Sequence, residues 1–340
     1  MPGRNRPLRP VLLRPGGFAM SFDLILPFLR PIESLLLDES VSEIMGNPDA
    51  TWWYERDGII FREATIQFDS GRLRTGLEVI ANHLGKKLDE DNPVLHAQLP
   101  DGSRLAAVIP PVVRPAPALT IRKFTSRRFT IDDLIARGTM TEALAQFLQE
   151  QIRFGKTVLI SGGTGSGKTT LLNILAQAIP DSERIVVIED TSELRIQKPN
   201  VLAVECQTDT FKARISFDDL LKSALRWRPD RIILGEVRGI EAQTLLDSFN
   251  TGHGGSLATI HANSAEKALH RFANLVMRNH AQSTFADTEA EIGETVDFVI
   301  HIERQPGGRV IREVLRMIGY DRDSKRFVVE PIFEVQHAAA

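Results

Sequence analysis

One segment, GGTGSGKT at Gly162–Thr169, restricts the possible folds of this chain more than any other. Its spacing is G-x-x-x-x-G-K-[ST], and it lies between the apolar run Val158–Ile160 and a helical pattern that begins near Lys168. Glycines allow the backbone to curl with its N–H groups turned inward, where they and the helix N-terminus bind phosphate oxygens. The segment therefore predicts a strand, a phosphate-binding loop and a helix in direct succession.

The chemistry of this loop predicts a nucleoside triphosphate, ATP or GTP, bound with Mg²⁺. Lys168 would reach the β- and γ-phosphates as a point charge, and the Thr169 hydroxyl would ligate Mg²⁺. A glycine-rich turn with an incidental lysine is the alternative, and the strand–loop–helix context argues against it. The residues expected to bind the nucleotide are Gly163, Thr164, Gly165, Ser166, Gly167, Lys168, Thr169 and Thr170.

The second half of the chain alternates helical patterns with short apolar runs at Thr157–Ser161, Arg184–Glu189 and Arg231–Leu234. This alternation predicts an α/β domain with a mostly parallel sheet, which we place at residues 131–335. We expect Thr130 to cap a short helix and a longer helix to occupy Thr141–Phe154.

The first half has a different pattern, and a length of 340 residues favours two domains. We predict a disordered leader at residues 1–19, a smaller α+β domain at 20–125 and a linker at 126–130. The expected elements are β-type runs at Thr51–Tyr54, Gly58–Glu63 and Ala64–Phe68, a helix at Arg72–Leu84, a hairpin formed by Val94–Leu99 and Arg104–Ile109, and a last strand at Ala118–Phe124.

The apolar stretch at residues 18–37 raises the question of membrane contact. Asp23, Pro27 and Arg30 are among the residues that interrupt it, so it predicts no transmembrane helix. We expect a helical segment that packs on its own domain. An amphipathic segment that touches a membrane surface is the alternative.

Acidic residues follow two of the predicted strands. Glu189 and Asp190 come directly after one apolar run, and Glu236 follows the next after a glycine. Because ligands of open α/β sheets bind at the carboxyl ends of the strands, both glutamates would point toward the phosphates. An acidic residue that caps the next helix is the alternative for either one alone.

Composition excludes several other classes of protein. The chain has 41 Lys and Arg against 44 Asp and Glu, a formal net charge of −3, which argues against a polycationic nucleic-acid coat. The single cysteine, Cys206, excludes internal disulfides, a four-cysteine zinc site and an iron–sulfur cluster. We expect Cys206 itself to be a small buried apolar residue.

Four ordered motifs give the chain a family resemblance. The phosphate loop is followed by IEDTSEL (Ile188–Leu194), LRWRPDRIILGEVRG (Leu225–Gly239) and TGHGGSLATIHAN (Thr251–Asn263). In this order they resemble the Asp, Walker B and His boxes of the traffic ATPases, which are hexameric motors of type IV secretion and conjugation, type II secretion and type IV pili. The likeness covers about residues 30–335 and is strongest to the conjugal-transfer branch of the TrbB type.

The resemblance implies a RecA-like P-loop ATPase domain and a role for each motif residue. Glu189 would position or activate the attacking water, and Glu236 would act with Thr169 at Mg²⁺, which leaves open which glutamate is the general base. His253 and His261 would order the γ-phosphate region. A structural role for at least one of these histidines is the alternative, whereas a zinc site is disfavoured because no third ligand is evident.

Arginines are the remaining candidates for catalysis. Arg104 and Arg122 match family segments whose arginines reach the nucleotide, and solvated edge arginines are the alternative. Four more, some of them expected at contacts between subunits, surround the Walker B segment: Arg226, Arg228, Arg231 and Arg238.

The resemblance also implies where such a protein works and with what. It implies a cytoplasmic homohexamer at the inner membrane that powers assembly or transfer in a conjugative or type IV secretion system, with inner-membrane components as partners, peripheral membrane contact and no sequence-specific nucleic-acid binding. A pilus assembly or retraction ATPase is the alternative motor. A RecA-like nucleic-acid motor is disfavoured because only 6% of residues are aromatic, and a nucleotide-switch scaffold is disfavoured because both glutamates and both histidines are present.

Overall fold

The computed structural model describes residues 25–56, 58–124, 129–206, 215–278 and 284–335. The chain divides into two compact units, residues 1–128 and 129–340, which we call unit 1 and unit 2. The predicted leader at residues 1–19 lies outside the described residues, as do residues 126–128 of the predicted linker.

Unit 1 is built on a six-stranded sheet with the order β3-β2-β1-β6-β5-β4, in which every neighbouring pair is antiparallel. Two 3₁₀ turns at Leu26–Phe28 and Arg30–Ile32 precede the first helix. The elements are α1 (Glu33–Leu37), β1 (Val41–Gly46), β2 (Trp52–Arg56), β3 (Ile59–Glu63), α2 (Ser70–His83), β4 (Val94–Gln98), β5 (Arg104–Val108) and β6 (Ala118–Arg122).

The core of unit 1 forms between α2 and one face of this sheet. The Asp69 side chain caps α2 by accepting from the Arg72 N–H at 2.8 Å. Leu77 and Ile80, at helical spacing, are fully buried in one cluster with Ile44 of β1. Ile25, Leu29, Ile32, Leu35 and Leu36 belong to the same cluster, so the apolar segment packs on its own unit from residue 25 onward, whereas residues 18–24 lie outside the described residues.

The prediction of a strand at Ala64–Phe68 is wrong. The Glu63 carboxylate accepts hydrogen bonds from the Thr65 N–H at 2.9 Å and from the Thr65 hydroxyl at 2.6 Å, which turns the chain away from the sheet. Phe68 then stacks on Trp52 with 5.5 Å between ring centroids. A local side-chain hydrogen bond therefore outweighs the β-type pattern of this run.

Unit 2 contains an eight-stranded sheet with the order β14-β13-β12-β7-β11-β10-β8-β9. Its elements are α3 (Ile131–Ala136), α4 (Glu142–Arg153), β7 (Val158–Gly162), α5 (Lys168–Ala176), β8 (Ile185–Glu189), β9 (Val201–Glu205), α6 (Phe217–Ala224), β10 (Arg231–Val237), α7 (Glu241–Asn250), β11 (Leu257–His261), α8 (Ala265–Met277), α9 (Phe285–Thr295), β12 (Phe298–Gln305), β13 (Gly308–Asp321) and β14 (Arg326–Glu334).

The predicted α/β architecture is confirmed, with helices on both faces of a mostly parallel sheet. The six strands from β12 to β9 in the sheet order are parallel, and β13 and β14 add an antiparallel edge. Both faces are covered because alternate residues of a strand enter different clusters: Val187 packs with α4 and α5, whereas Ile188 packs with α6, α7 and α8.

Boundaries in unit 2 differ from the predicted ones at a few places. Thr130 caps α3 as expected and forms a reciprocal capping box with Asp133. Strand β10 continues to Val237, three residues past the predicted end at Leu234, with an irregularity in its pairing to β11 between these two residues. Strand β12 and the antiparallel edge strands β13 and β14 have no counterpart in the predicted elements.

Two of the remaining expectations concern Cys206 and the membrane. Cys206 is a free, buried thiol, and burial raises its pKa to about 12, so it behaves as an apolar core residue. Within the described part of the chain, no helix combines the length and the hydropathy needed to cross a bilayer.

The core of unit 2 generates a stability prediction. Phe272 of α8 is fully buried, whereas Ile318 of β13 is 60% exposed. We expect Phe272→Ala to lower the free energy of unfolding of this unit by about 3–5 kcal/mol, because it leaves a cavity in the core. Ile318→Ala should change it by less than about 0.5 kcal/mol. Urea unfolding followed by circular dichroism checks both, and equal effects would contradict the assigned core.

Candidate functional site

The phosphate loop, defined here as Gly162–Thr169, connects β7 to α5. Gly165 and Gly167 have φ angles of 69° and 96°, in the left-handed region that favours glycine. A Cβ on Gly162 would collide with the Ile302 carbonyl oxygen and would lie 2.5 Å from the Ser166 hydroxyl. The predicted strand, loop and helix are therefore present, and the loop requires glycine at Gly162, Gly165 and Gly167.

Lys168 lies at the first position of α5 and is 7% exposed. Its Nζ donates to the carbonyl oxygens of Gly162 at 3.0 Å and Gly163 at 2.8 Å. These bonds hold the ammonium group inside the curl of the loop, where a phosphate would meet it.

The predicted phosphate-binding residues differ in what they expose. Gly163 and Thr164 are exposed, and Thr169 and Thr170 are half-buried at the start of α5. The Ser166 hydroxyl is buried and has no hydrogen-bond partner among the described residues. Ser166 is therefore suited to bind phosphate through its backbone N–H, and its side chain packs beneath the loop.

Four adjacent strands end at the same edge of the sheet. Residue pairing sets His261 of β11 beside Gly162 of β7, and Leu234 of β10 beside Ile188 of β8. The loop, His261, Glu236 and Glu189 thus follow one another along the edge in the order β7, β11, β10, β8. With strands about 4.8 Å apart, the Glu189 backbone lies roughly 14 Å and the Glu236 backbone roughly 10 Å from that of β7.

Glu236 is at the centre of a polar chain along this edge. Its Oε1 lies 3.3 Å from His261 Nε2, and its Oε2 accepts from Arg238 Nη2 at 2.7 Å. Arg238 Nη1 in turn donates to Asp190 at 2.8 Å. The carboxylates of Glu236 and Asp190 raise the pKa of Arg238 above its usual value, so Arg238 stays a permanent cation beside Glu236.

Glu189 is more deeply buried than Glu236 and is 4% exposed. Its Oε1 accepts from the N–H groups of Glu193 and Leu194, each at 3.0 Å. Burial raises the pKa of Glu189 to about 7, because desolvation outweighs these two hydrogen bonds. A carboxyl group with a pKa near 7 can both hold and release a proton under neutral conditions.

His261 lies close to the cations of the site. Burial lowers its pKa, and the charge of Lys168 lowers it further, whereas Glu236 acts in the opposite direction. A neutral imidazole can donate its Nε2–H to Glu236 and does not compete with Lys168 for a carboxylate charge. His261 is thus suited to orient Glu236 rather than to neutralise it.

The structure does not bring His253 to this edge. Strand β11 begins at Leu257 and runs parallel to β7, so the loop that carries His253 lies at the amino end of the sheet. Strand β11 spans five residues, which puts the two ends roughly 16 Å apart. The expectation that His253 orders the γ-phosphate of its own chain is not supported, and the two histidines cannot share one metal ion.

The loop around His253 has a structural anchor instead. Arg231 is 4% exposed, forms an ion pair with Glu183 and donates to the Gly255 carbonyl oxygen at 3.0 Å. A Cβ on Gly255 would collide with the Arg231 guanidinium. Arg231 is therefore a buried structural residue, and burial removes it from the arginines that could contact another subunit.

The remaining predicted arginines are exposed or belong to unit 1. Arg226 and Arg228 are exposed, and Arg238 is committed to Glu236 and Asp190. Arg104 of β5 and Arg122 of β6 are direct partners in the antiparallel pairing of unit 1, with Arg122 exposed. Their expected contact with the nucleotide stays a prediction.

A cavity of about 700 Å³ lies beside Gly163 of the phosphate loop and beside His261 of β11. Helix α8 lines it with polar and basic residues spaced three or four apart, namely Lys267, His270, Arg271 and Asn274. Sequence reasoning missed this face, although the alternation of these residues with the apolar residues of α8 was a readable signal.

The ligand set at the loop fits a magnesium nucleotide. The Thr169 hydroxyl and the Glu236 carboxylate are hard oxygen donors of the kind Mg²⁺ prefers, and both lie at the carboxyl edge of the sheet. Among the described residues, no group of three or more His, Cys, Asp and Glu side chains could hold a metal ion without a substrate. A metal here would be held jointly with phosphate oxygens.

Comparison with known proteins finds one family model, described as "Type II/IV secretion system protein", that matches residues 29–311. The conjugal transfer protein TrbB of Rhizobium radiobacter is 39% identical over 290 residues, which cover 83% of this chain and 85% of that protein. The type IV secretion system protein VirB11 of Bartonella quintana is 32% identical over 330 residues, which cover 86% and 92%.

Among solved structures, the Legionella pneumophila ATPase DotB matches with a TM-score of 0.60 at 20% sequence identity, covering 92% of this chain and 85% of that one. At this identity the likeness concerns the fold alone.

The raised pKa of Glu189 predicts a pH-dependent stability. Because the folded-state pKa of about 7 lies above the usual 4.5, ionising Glu189 costs folding free energy. The stability that the protonated Glu189 side chain allows is complete below about pH 4.5 and is lost as the pH rises through about 7. We therefore compare the free energy of unfolding of Glu189→Gln with that of the wild type at two pH values. The variant's advantage over the wild type should be larger at pH 8 than at pH 5 by ~1–3 kcal/mol.

Urea unfolding of the nucleotide-free protein at both pH values measures this difference. Glu150→Gln, at an exposed position of α4, is the matched control and should show none. A Glu189→Gln difference that does not change with pH would contradict the raised pKa.

Proposed function

The chain belongs to the family of type II/IV secretion system proteins, and from this premise we propose that it is the ATP-hydrolysing motor of a conjugative or type IV secretion machine. One observation carries the proposal. The phosphate loop, His261, Glu236 and Glu189 lie at the carboxyl ends of four adjacent strands, which is the arrangement that nucleotide hydrolysis requires.

The first part of the mechanism is phosphate binding. The inward N–H groups of the phosphate loop and the start of α5 bind the phosphates of ATP, and Lys168 adds a positive charge. The hydroxyl of Thr169 and the carboxylate of Glu236 would hold Mg²⁺. When bound, Mg²⁺ neutralises charge that develops on the β- and γ-phosphates.

The second part of the mechanism concerns the attacking water. Glu236 is oriented by His261 at 3.3 Å and compensated by Arg238 at 2.7 Å, so it serves the phosphate and metal side of the site. Glu189 has a pKa near 7 and lies beside Gly235, whose missing side chain leaves space next to the Glu189 Cγ atom. We assign the proton-accepting role to Glu189, since a base works best when its pKa is near the operating pH.

The wider assignments follow from the family. The protein acts as a homohexamer at the cytoplasmic face of the inner membrane, in peripheral contact with it, and its partners are inner-membrane components of the machine. Stabilisation of charge on the transferred phosphoryl group by Arg104 and Arg122 is part of the same proposal. The relatives named for conjugal transfer and type IV secretion, which match more than four fifths of this chain, support this choice over a pilus motor.

An ATPase assay with matched variants tests this function. We expect Lys168→Ala and Glu236→Gln each to lower kcat by about 100-fold or more, because each removes charge stabilisation or orientation needed in the transition state. The matched control is Lys222→Ala, at an exposed lysine of α6, which should keep kcat within about twofold of the wild type. A Lys168→Ala variant that hydrolyses ATP at the wild-type rate would refute the assignment.

The same assay distinguishes the alternative motor class. We expect phospholipid vesicles to raise the ATPase rate or leave it unchanged, and single-stranded DNA to have no effect. Strong stimulation by single-stranded DNA would instead support a RecA-like nucleic-acid motor. An assembled hexamer without turnover would support a nucleotide-switch scaffold.

The base assignment predicts a pH profile. Glu189 must be ionised to accept a proton, so kcat/KM of the wild type should fall about tenfold per pH unit below pH 7. Glu189→Gln should lose at least about 100-fold in kcat at pH 8. A profile that is flat between pH 5.5 and about 8 would contradict this role.

A further inference from the structure

The hairpin formed by β12 and β13 contacts the phosphate loop on the side away from the other motif residues. Strand β12 pairs in parallel with β7, with His301 beside Ser161, the residue that directly precedes the loop. Strand β13 returns antiparallel to β12 and brings Arg309 opposite Arg304. Residues that lie about 140 positions beyond the loop in sequence are therefore its neighbours in space.

A buried polar chain attaches this hairpin to the base of the loop. Ser161 Oγ and His301 Nδ1 are 2.7 Å apart, and His301 is 2% exposed. On its other side, His301 Nε2 lies 3.3 Å from Glu303, whose second oxygen accepts from Arg312 at 2.9 Å. Because these groups satisfy one another, the hairpin is held at a definite position against β7.

Arg309 contacts the phosphate loop directly, at Gly165 and Gly167. Its Nε donates to the Gly165 carbonyl oxygen at 3.3 Å. Its stem also covers Gly167, where a Cβ would lie 3.2 Å from Arg309 Cδ. The Arg304 guanidinium lies on the same side, 3.6 Å from the position of a Cβ on Gly165.

The direction of this hydrogen bond matters for nucleotide binding. The Gly165 carbonyl and the Ser166 N–H belong to one planar trans peptide and point in opposite directions. A bond that draws the carbonyl outward to Arg309 therefore turns the N–H inward. The Ser166 N–H accordingly points across the curl toward the Gly163 carbonyl oxygen, at 3.4 Å.

We infer that the β12–β13 hairpin holds the phosphate loop in its nucleotide-binding shape and that Arg309 is the positioning residue through which it does so. This rests on the proposed binding of ATP by the loop. Arg309 acts on the nucleotide through the Gly165–Ser166 peptide, without touching the phosphates itself. The loop alone, with its four flexible glycines, would lose more conformational entropy on binding a phosphate.

Two substitutions of Arg309 separate its hydrogen bond from its stem and its charge. In Arg309→Gln the side-chain amide nitrogen takes the place of Nε, so the bond to Gly165 can form without the guanidinium charge. In Arg309→Met the stem keeps the same length but has no donor. Arg316→Met on the same strand, where the half-exposed arginine pairs with Glu330 at 3.1 Å, is the matched control.

The measurement is a fluorescence titration of the full chain with N-methylanthraniloyl-ADP and Mg²⁺, together with thermal unfolding without nucleotide. We expect Arg309→Met to raise Kd about tenfold, the value of one lost hydrogen bond from a charged donor. Arg309→Gln and Arg316→Met should stay within about twofold of the wild type. The ATPase readout should show a raised KM for ATP with kcat changed less than about twofold.

The possible outcomes decide between the proposals. If Arg309→Met binds the nucleotide as tightly as the wild type, the inference is wrong. If Arg309→Met and Arg309→Gln lose affinity equally, Arg309 acts by its charge, which also overturns a positioning role. If Arg309→Met lowers the unliganded melting temperature, Arg309→Gln with an unchanged melting temperature and Kd still supports the inference. Failure of the wild type to bind would instead refute the proposed function itself.

Discussion

The parallel pairing of β7, β11, β10 and β8 is the constraint on which the candidate site depends. Parallel strands all end at one edge of a sheet. Residues from four motifs that are far apart in the sequence are therefore brought to the same place. The strands are buried on both faces, and the functional side chains lie at or near their carboxyl ends. A shift of one residue in any of them would move its functional side chain to the wrong face.

Electrostatics at this edge follow from unequal burial. Glu236 keeps a cation beside it through Arg238. The described donors to Glu189 are backbone N–H groups, and Glu189 is more deeply buried, so its pKa rises to about 7. Burial and the charge of Lys168 lower the pKa of His261, which favours its neutral form. The site therefore combines one compensated carboxylate, one carboxyl that can exchange a proton and one neutral hydrogen-bond donor, which are separate roles for hydrolysis.

Local motifs could be predicted from the sequence, whereas contacts between residues that are far apart in the sequence could not. The loop at Gly162–Thr169 and the glutamates near the carboxyl ends of β8 and β10 could be placed from residues only a few positions away, although β10 continues through Glu236 to Val237. His253 was grouped with His261 because one motif contains both, yet His253 precedes the five-residue strand β11 and His261 ends it, so they lie at opposite edges of the sheet. Arg309 and His301 were missed because nothing in their own segment indicates a partner about 140 residues earlier.

By itself, the sequence determined that a phosphate-binding loop lies between a strand and a helix, because the glycine spacing and the lysine allow little else. It also determined the α/β class, since helical and apolar periodicities depend only on neighbouring residues. Only the tertiary structure decided which strands are adjacent, and with that which histidine meets Glu236, how deeply Glu189 is buried and what supports the loop from behind. These outcomes depend on strand order and desolvation, which are properties of the packed sheet and not of any single segment.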